Sequence, residues 1–525
     1  MRRYIMKTVL AACVCTLTGC SDTWDDHYTD NSGAEGGHSL LAEIKSHPEL
    51  STFAQMIETA GYEDLLSSSQ TFTVWAPVNE ALADVDMNDK AAVTRTLINH
   101  IARFNISSAT PAEEGVKMLN GKLMYFSDDA SQFGGAKIKE SDIRVANGLV
   151  HELTTAIPYA YNFREYIDIH DNTTSFSKFL AKFDEELLAS QVPGNDNADA
   201  NDNELVSYNR LLQYPDYGLG NIAAEDSVFS MVIPTDVAWA RAYEKIKPYF
   251  VNYNEDQAIA DSIQDQQTSL AIISDLIFRT GLRNPLEMDS VMSTSGSVIS
   301  NPALYFGGKE QIAASNGRIF LADNLDYDMT ETFNKRIRIE AEEQTGRTPA
   351  AGTTVYTRNV STDNEFADEI SGQRYIEVFP VSSSRQPGIT FSVPDILAGD
   401  YDIYATFVPA NVSDPTNVND STRVQFAVTY RAENGKNQSK SFNSNDFVTS
   451  GTKMTTIKVA SGFHFPVSNY YDRVWYMDPK NDPKDRVITT SIYVSTNVSN
   501  SEFNQNVLSR RFRIDRIVLV PVSAE

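Results

Sequence analysis

One block of sequence occurs twice. Phe72-Thr73-Val74-Trp75-Ala76-Pro77-Val78-Asn79-Glu80-Ala81-Leu82 is matched by Phe229-Ser230-Met231-Val232-Ile233-Pro234-Thr235-Asp236-Val237-Ala238-Trp239. In each, an apolar strand is stopped by a proline, which cannot donate to a ladder, and an Asn or Asp two residues on is placed to cap the following helix. Upstream of each block lies an amphipathic helix, with Phe53, Met56, Ile57 and Ala60 in the first and Phe176, Phe179, Leu180 and Phe183 in the second. That spacing makes one buried face. Each copy closes on an Asn-Gly hairpin signal, Ala146-Asn147-Gly148-Leu149 and Ser315-Asn316-Gly317-Arg318, and Asn120-Gly121 adds another; a type I′ turn would need positive φ at both central residues. A repeat of this kind commits some 290 residues to two related domains.

The first copy resembles the fasciclin (FAS1) domain. Its opening block is Phe72 to Leu82, its middle block Leu97-Ile98-Asn99-His100-Ile101, and its closing block Asn147-Gly148-Leu149-Val150-His151. The resemblance implies an α+β fold at 38–160, with adhesion or ligand binding rather than a shared catalytic reaction, and a core role for His100. The second copy, 161–329, is a divergent fasciclin-like unit in which His100 aligns with Asp275. Its helix-to-strand stretch is longer, 53 positions from Phe176 to Phe229 against 19 from Phe53 to Phe72. The addition, 190–226, reads as a solvated polar loop: Asp196, Asp199, Asp202 and Glu204 lack the glycine and glutamate spacing of an EF-hand. Tyr208, Tyr214 and Tyr217 in it suit either a partner interface or packing back onto the domain.

Beyond Asp328, short alternating runs such as Ile389/Phe391/Val393, Tyr401/Ile403/Ala405 and Val424/Phe426/Val428 predict an antiparallel sandwich over 330–525, with Phe512 to Val520 late enough to pair with the first strand. Arg338-Ile339-Glu340-Ala341-Glu342, Phe391-Ser392-Val393-Pro394 with Ala398-Gly399-Asp400-Tyr401, and Phe512 to Pro521 resemble β-jelly-roll carbohydrate-binding modules of the family 6 and 35 type. The fold class is therefore α+β, two fasciclin-like domains, followed by an all-β jelly roll. The resemblance implies a structural calcium at Glu340, Glu342 and Asp515; as bare residues these read first as solvent-facing carboxylates of edge strands. The richest aromatic stretch is Ser468-Asn469-Tyr470-Tyr471-Asp472-Arg473-Val474-Trp475-Tyr476. Tyr470, Tyr471, Trp475 and Tyr476 are the candidate glycan-binding residues, since pyranose rings stack on flat apolar faces ringed by polar groups. Alternation would set Trp475 on one face of a strand, where core packing is the commoner fate.

Arg2, Arg3 and Lys7 precede a short apolar stretch too brief to span a bilayer, and Leu17-Thr18-Gly19-Cys20 resembles a bacterial lipobox. Residues 1–19 are then a cleaved signal, Cys20 the lipidation site, and 20–37 an acidic tether like the surface-export signal of Bacteroides-type lipoproteins. Cys13 and Cys15 leave with the signal, so no internal disulfide is expected. A formal charge of −26 argues against nucleic acid. Seven scattered histidines form no H-x-x-x-H, and no Gly-x-Ser-x-Gly elbow or P-loop occurs, so no enzymatic activity is expected. These features predict a lipid-anchored outer-membrane protein, facing the exterior, that binds glycans or assists their capture beside a transporter complex. The alternative is a protein-binding adhesin whose fasciclin domains contact a partner while the sandwich is structural.

Overall fold

The computed structural model describes residues 37–111, 115–194, 204–281, 283–326 and 328–522. The signal, Cys20 and most of the tether lie outside the described residues, as do Asp196, Asp199 and Asp202. The chain divides into two compact units, residues up to Ala160 and from Tyr161 onward.

In the first unit the repeated block forms the strand Phe72–Pro77. It pairs in parallel with Gly148–Leu153 and antiparallel with Ile101–Arg103. In the second unit Phe229–Pro234 pairs in parallel with Gly317–Ala322 and antiparallel with Ile277–Phe278. The helices Ser51–Ala60 and Thr174–Ala181 bury their phenylalanines against these sheets, as the 3.6-residue spacing requires. The sandwich packs Thr353–Asn359, Arg374–Pro380, Phe512–Pro521, Gly399–Phe407 and Thr455–Phe465 against a second antiparallel sheet, Arg347–Pro349, Gly388–Ser392, Ser491–Thr496, Arg423–Arg431 and Asn437–Val448. Ile337–Glu340 pairs with Phe512–Pro521, joining first strand to last. The fold class is thus a fasciclin-type α+β region followed by an all-β sandwich.

The repeat extends to single hydrogen bonds, and there the structure corrects four readings. Asn79 and Asp236 do not cap the helices after them. They accept from Thr52 N at 2.9 Å and Ser175 N at 2.6 Å, holding the first turn of the helix before; Thr235 caps the helix that follows in the second copy. The closing hairpins turn on Ala146-Asn147 and Ser315-Asn316, and none of these four residues has positive φ, so the turns are not type I′. Asn147 instead buries its side chain, accepting from Leu40 N and donating to Leu66 O and Ser68 O; Asn316 does the same with Phe163 N, Ile222 O and Ala224 O. The glycine is needed for the neighbouring strand, because a Cβ on Gly148 would lie 2.0 Å from Phe72 O and one on Gly317 1.9 Å from Phe229 O.

Strand register also moves the middle-block alignment by one. Val74 faces Ile101 and Met231 faces Ile277, so Asp275 corresponds to Asn99 and His100 to Leu276. His100 is fully buried, with Nδ1 on Thr96 O at 2.8 Å and Nε2 accepting from Ile157 N at 2.8 Å. Finally, the addition at 190–226 is not simply a loop. It begins within a hairpin, Asp184–Leu188 against Leu205–Asn209, followed by the helix Arg210–Gln213. Tyr208 is buried and Tyr214 packs on the domain core, while Tyr217 remains partly exposed.

Candidate functional site

The segment Asn469 to Met477 joins the sandwich to the fasciclin-like half of its own unit. Ala398 N donates to Tyr249 O at 2.9 Å and Ser468 N to Val251 O at 2.6 Å. From the helix Gln257–Ile273, Gln266 Nε2 donates to Asp472 Oδ2 at 3.0 Å and Gln267 Nε2 to Tyr470 O at 2.9 Å. Arg473 Nη1 donates to Tyr217 O at 2.7 Å. Leu397 and Met477 from the sandwich are buried in the same core as Phe176, Trp239 and Phe250. Continuous apolar packing reinforced by charge-assisted hydrogen bonds makes the two halves one body.

A cavity of about 300 Å³ lies in this seam. Tyr470, Tyr471 and Tyr476 line it, opposite Phe250, Gln267 and Asp275. Tyr476 stacks on Tyr217 with centroids 5.5 Å apart and planes 11° from parallel. Trp475 is not among the lining residues; its ring meets Tyr471 and Tyr476 edge-on at 4.8 and 5.0 Å and braces them. The guanidinium of Arg486 sits over Tyr471 and Tyr476 at 4.9 and 5.7 Å, a cation–π contact that fixes both rings. Burial, helped by Asp472, Asp395 and Asp275, pushes the Tyr470 hydroxyl up to about 12, so it stays a neutral donor. Burial also lowers the Arg473 guanidinium.

Two expectations for this stretch change. Trp475 lies in a short helix, Arg473–Met477, because the Asp472 carboxylate accepts from Trp475 N at 3.0 Å and caps the turn. Tyr470 is no open platform: it packs against Phe250 at 5.7 Å within the seam. Sequence reasoning missed Gln267 and the site role of Asp275, which accepts from Ser293 Oγ at 2.6 Å. The signal for Asp275 was its place in the middle block, where the first copy has a neutral asparagine.

Glu340, Glu342 and Asp515 stand at the junction of first and last strands, with Ala341 N donating to Asp515 O at 2.9 Å. Asp515 is fully buried and accepts from Ser371 N at 3.1 Å; Ser371 Oγ donates to Glu340 Oε1 at 2.9 Å. Burial raises the Asp515 carboxyl to about 7, against the opposing pull of Arg516. Burial also raises Glu342. Glu340 Oε2 and Glu342 Oε2 are buried without a hydrogen-bond partner among the described residues. Orphaned hard oxygens fit a calcium ion, although Arg338 and Arg516 now bond Glu340 and Asp515. The one triad among the described residues whose donor atoms all lie within 4.8 Å of one another is elsewhere, His47, Glu49 and Glu152. There Lys139 pairs with both glutamates and Glu43 with His47, which makes an ion-pair cluster.

The chain thus combines a fasciclin-type α+β region with an all-β sandwich. Residues 48–158 match the fasciclin domain family model. Human periostin is 27% identical over 126 residues, which is 22% of this chain and 15% of periostin, so the chain spans a small part of that relative. Among solved structures, the FAS1 domain pair of the insect cell adhesion molecule fasciclin I is similar over 54% of this chain and 98% of its own, at 15% identity and a TM-score of 0.20. The xylan-binding domain of carbohydrate-binding module 22 is similar over 35% and 94%, at 9% identity and a TM-score of 0.21. A family 35 carbohydrate-binding module from Clostridium thermocellum is similar over 36% and 99%, at 11% identity and a TM-score of 0.20.

Proposed function

We propose that this chain is a non-catalytic, lipid-anchored outer-membrane protein that displays a glycan-binding site to the exterior as an accessory of a nutrient uptake complex. The observation that carries the reading is the seam cavity, where tyrosine rings meet amide, hydroxyl and carboxylate groups. Such a wall suits a polyhydroxylated ring, which offers apolar C–H faces to aromatics and hydroxyls to polar atoms. Cys20 supplies the lipid; one acylated residue places the site at the membrane without a spanning helix, and no helix of the described residues is long and apolar enough to cross one. Glu340, Glu342 and Asp515 hold a calcium ion that ties the first strand to the last. The ion's part would be structural: its two charges would offset the crowding of the carboxylates, and it would take no role in binding sugar.

A glycan array probed with the full, detergent-solubilised chain tests the reading. Binding to a defined glycan class above background supports it. No glycan bound, together with recovery of a protein partner through residues 48–158, transfers the function to adhesion. Protease shaving of intact cells tests display: wild type is cleaved, and Cys20→Ala is released from the membrane fraction.

A further inference from the structure

We propose that the seam cavity is a composite subsite for a single ring of a neutral glycan, so that recognition requires the fasciclin-like half and the sandwich together. This rests on the glycan-binding reading above and adds where the sugar sits and what charge it carries.

The walls come from both halves. Gln267 and Asp275 belong to the fasciclin-like half, Tyr470, Arg473 and Tyr476 to the sandwich. At about 300 Å³ the cavity is at the lower end of small-molecule pockets, which run from about 300 to 1,000 Å³, and this favours one ring over a long segment of polymer. Gln267 is 5% exposed and donates its amide N–H to Tyr470 O, yet its Oε1 has no partner among the described residues. Gln267 lines the cavity, and an unpaired acceptor in a dry site is costly, so a side-chain rotation that brought Oε1 to a ligand hydroxyl would relieve that cost.

Charge sets the class. The lining holds two acids, Asp275 and Asp472, and two bases, Lys335 and Arg473. Lys335 Nζ already donates to Ser297 Oγ at 2.8 Å and Arg473 to Tyr217 O at 2.7 Å, while Asp472 accepts from Gln266 and from Trp475 N. Both cations hold neutral oxygens and keep their charge, and the two acids balance it, so the lining has no net charge and a uronate or sialate gains no excess of positive charge while meeting Asp275 as like charge. A neutral hexose or pentose ring meets no such repulsion.

The test is calorimetric titration of the full chain with neutral oligosaccharides and their uronate-bearing counterparts. Two variants address the cavity. Ser274→Phe fills it from a half-buried helix-end position, and Tyr476→Ala removes a ring wall. Tyr430→Ala, in a separate groove of the sandwich, is the control. Both cavity variants, still folded by circular dichroism, should bind neutral sugar about tenfold or more weakly, with Tyr430→Ala matching wild type in affinity. Undiminished binding by Ser274→Phe and Tyr476→Ala, or loss in Tyr430→Ala instead, overturns the subsite and leaves the glycan reading standing. Preference for uronates overturns the neutral class. Failure of wild type to bind any glycan removes the subsite together with the reading beneath it.

Discussion

Tyr217 and Tyr476 stack face to face at 5.5 Å, although they lie far apart in sequence and belong to different domains of one unit. The Arg473 guanidinium bonds the carbonyl of the same Tyr217, so ring and backbone are held at once. In a double-mutant cycle of Tyr217→Ala and Tyr476→Ala, the coupling energy in denaturant melts should be about 0.5–1.5 kcal/mol. Strictly additive losses would show that the rings do not sense each other.

Acid should weaken the first unit through His100. Burial holds its imidazole at about 4 when folded, below the ordinary 6.5, so the unfolded chain binds the extra proton between those values. Stability therefore rises with pH across that window and falls on acidification from 6.5 toward 4, by up to about 3 kcal/mol. His47, raised chiefly by its hydrogen bond to Glu43, works in the opposite sense, but its contribution changes above 6.5, between the ordinary value and its raised folded value, and leaves the loss below 6.5 untouched. Urea melts from pH 4 to 7 should show a shallower slope for His100→Gln than for wild type. Equal slopes would place the acid sensitivity elsewhere.

The two repeat glycines predict domain-selective unfolding. Gly148→Ala brings a Cβ to 2.0 Å from Phe72 O, contact with backbone that no rotamer can relieve. A loss of at least about 3 kcal/mol is expected, as severe overpacking costs. Calorimetry should show the transition of the first unit lowered or lost; Gly317→Ala should act likewise on the second.

Calcium should stabilise the sandwich. Saturating ion at about 100 times its dissociation constant would add about 2.7 kcal/mol, seen as a rise in melting temperature that EDTA reverses. Asp515→Asn should abolish that rise. A melting temperature indifferent to calcium would leave the three carboxylates as an arginine-paired cluster.

Much of the fold was legible because it is carried by local pattern. The phenylalanine spacing of the two helices, the proline-stopped strands and the alternation of Val424, Phe426 and Val428 each report burial within a few residues of chain. Asn79 and Asp236 were misread for the same reason: a cap on the next helix is local, whereas their bonds to Thr52 N and Ser175 N cross 27 and 61 positions. The aromatic stretch was visible in composition, but its surroundings were not. Gln267 meets Tyr470 across 203 positions, and no periodicity encodes such a pairing. Trp475 shows the limit at short range, where a single Asp472 cap turned an apparent strand into a helix.

The most direct test of the central claim is a crystal structure of the full chain with a neutral oligosaccharide that the array selects. One sugar ring is expected in the seam, with a hydroxyl on Gln267 Oε1 and the ring against Tyr476. Sugar bound only on the open faces of the sandwich, with the seam cavity unchanged, would contradict it.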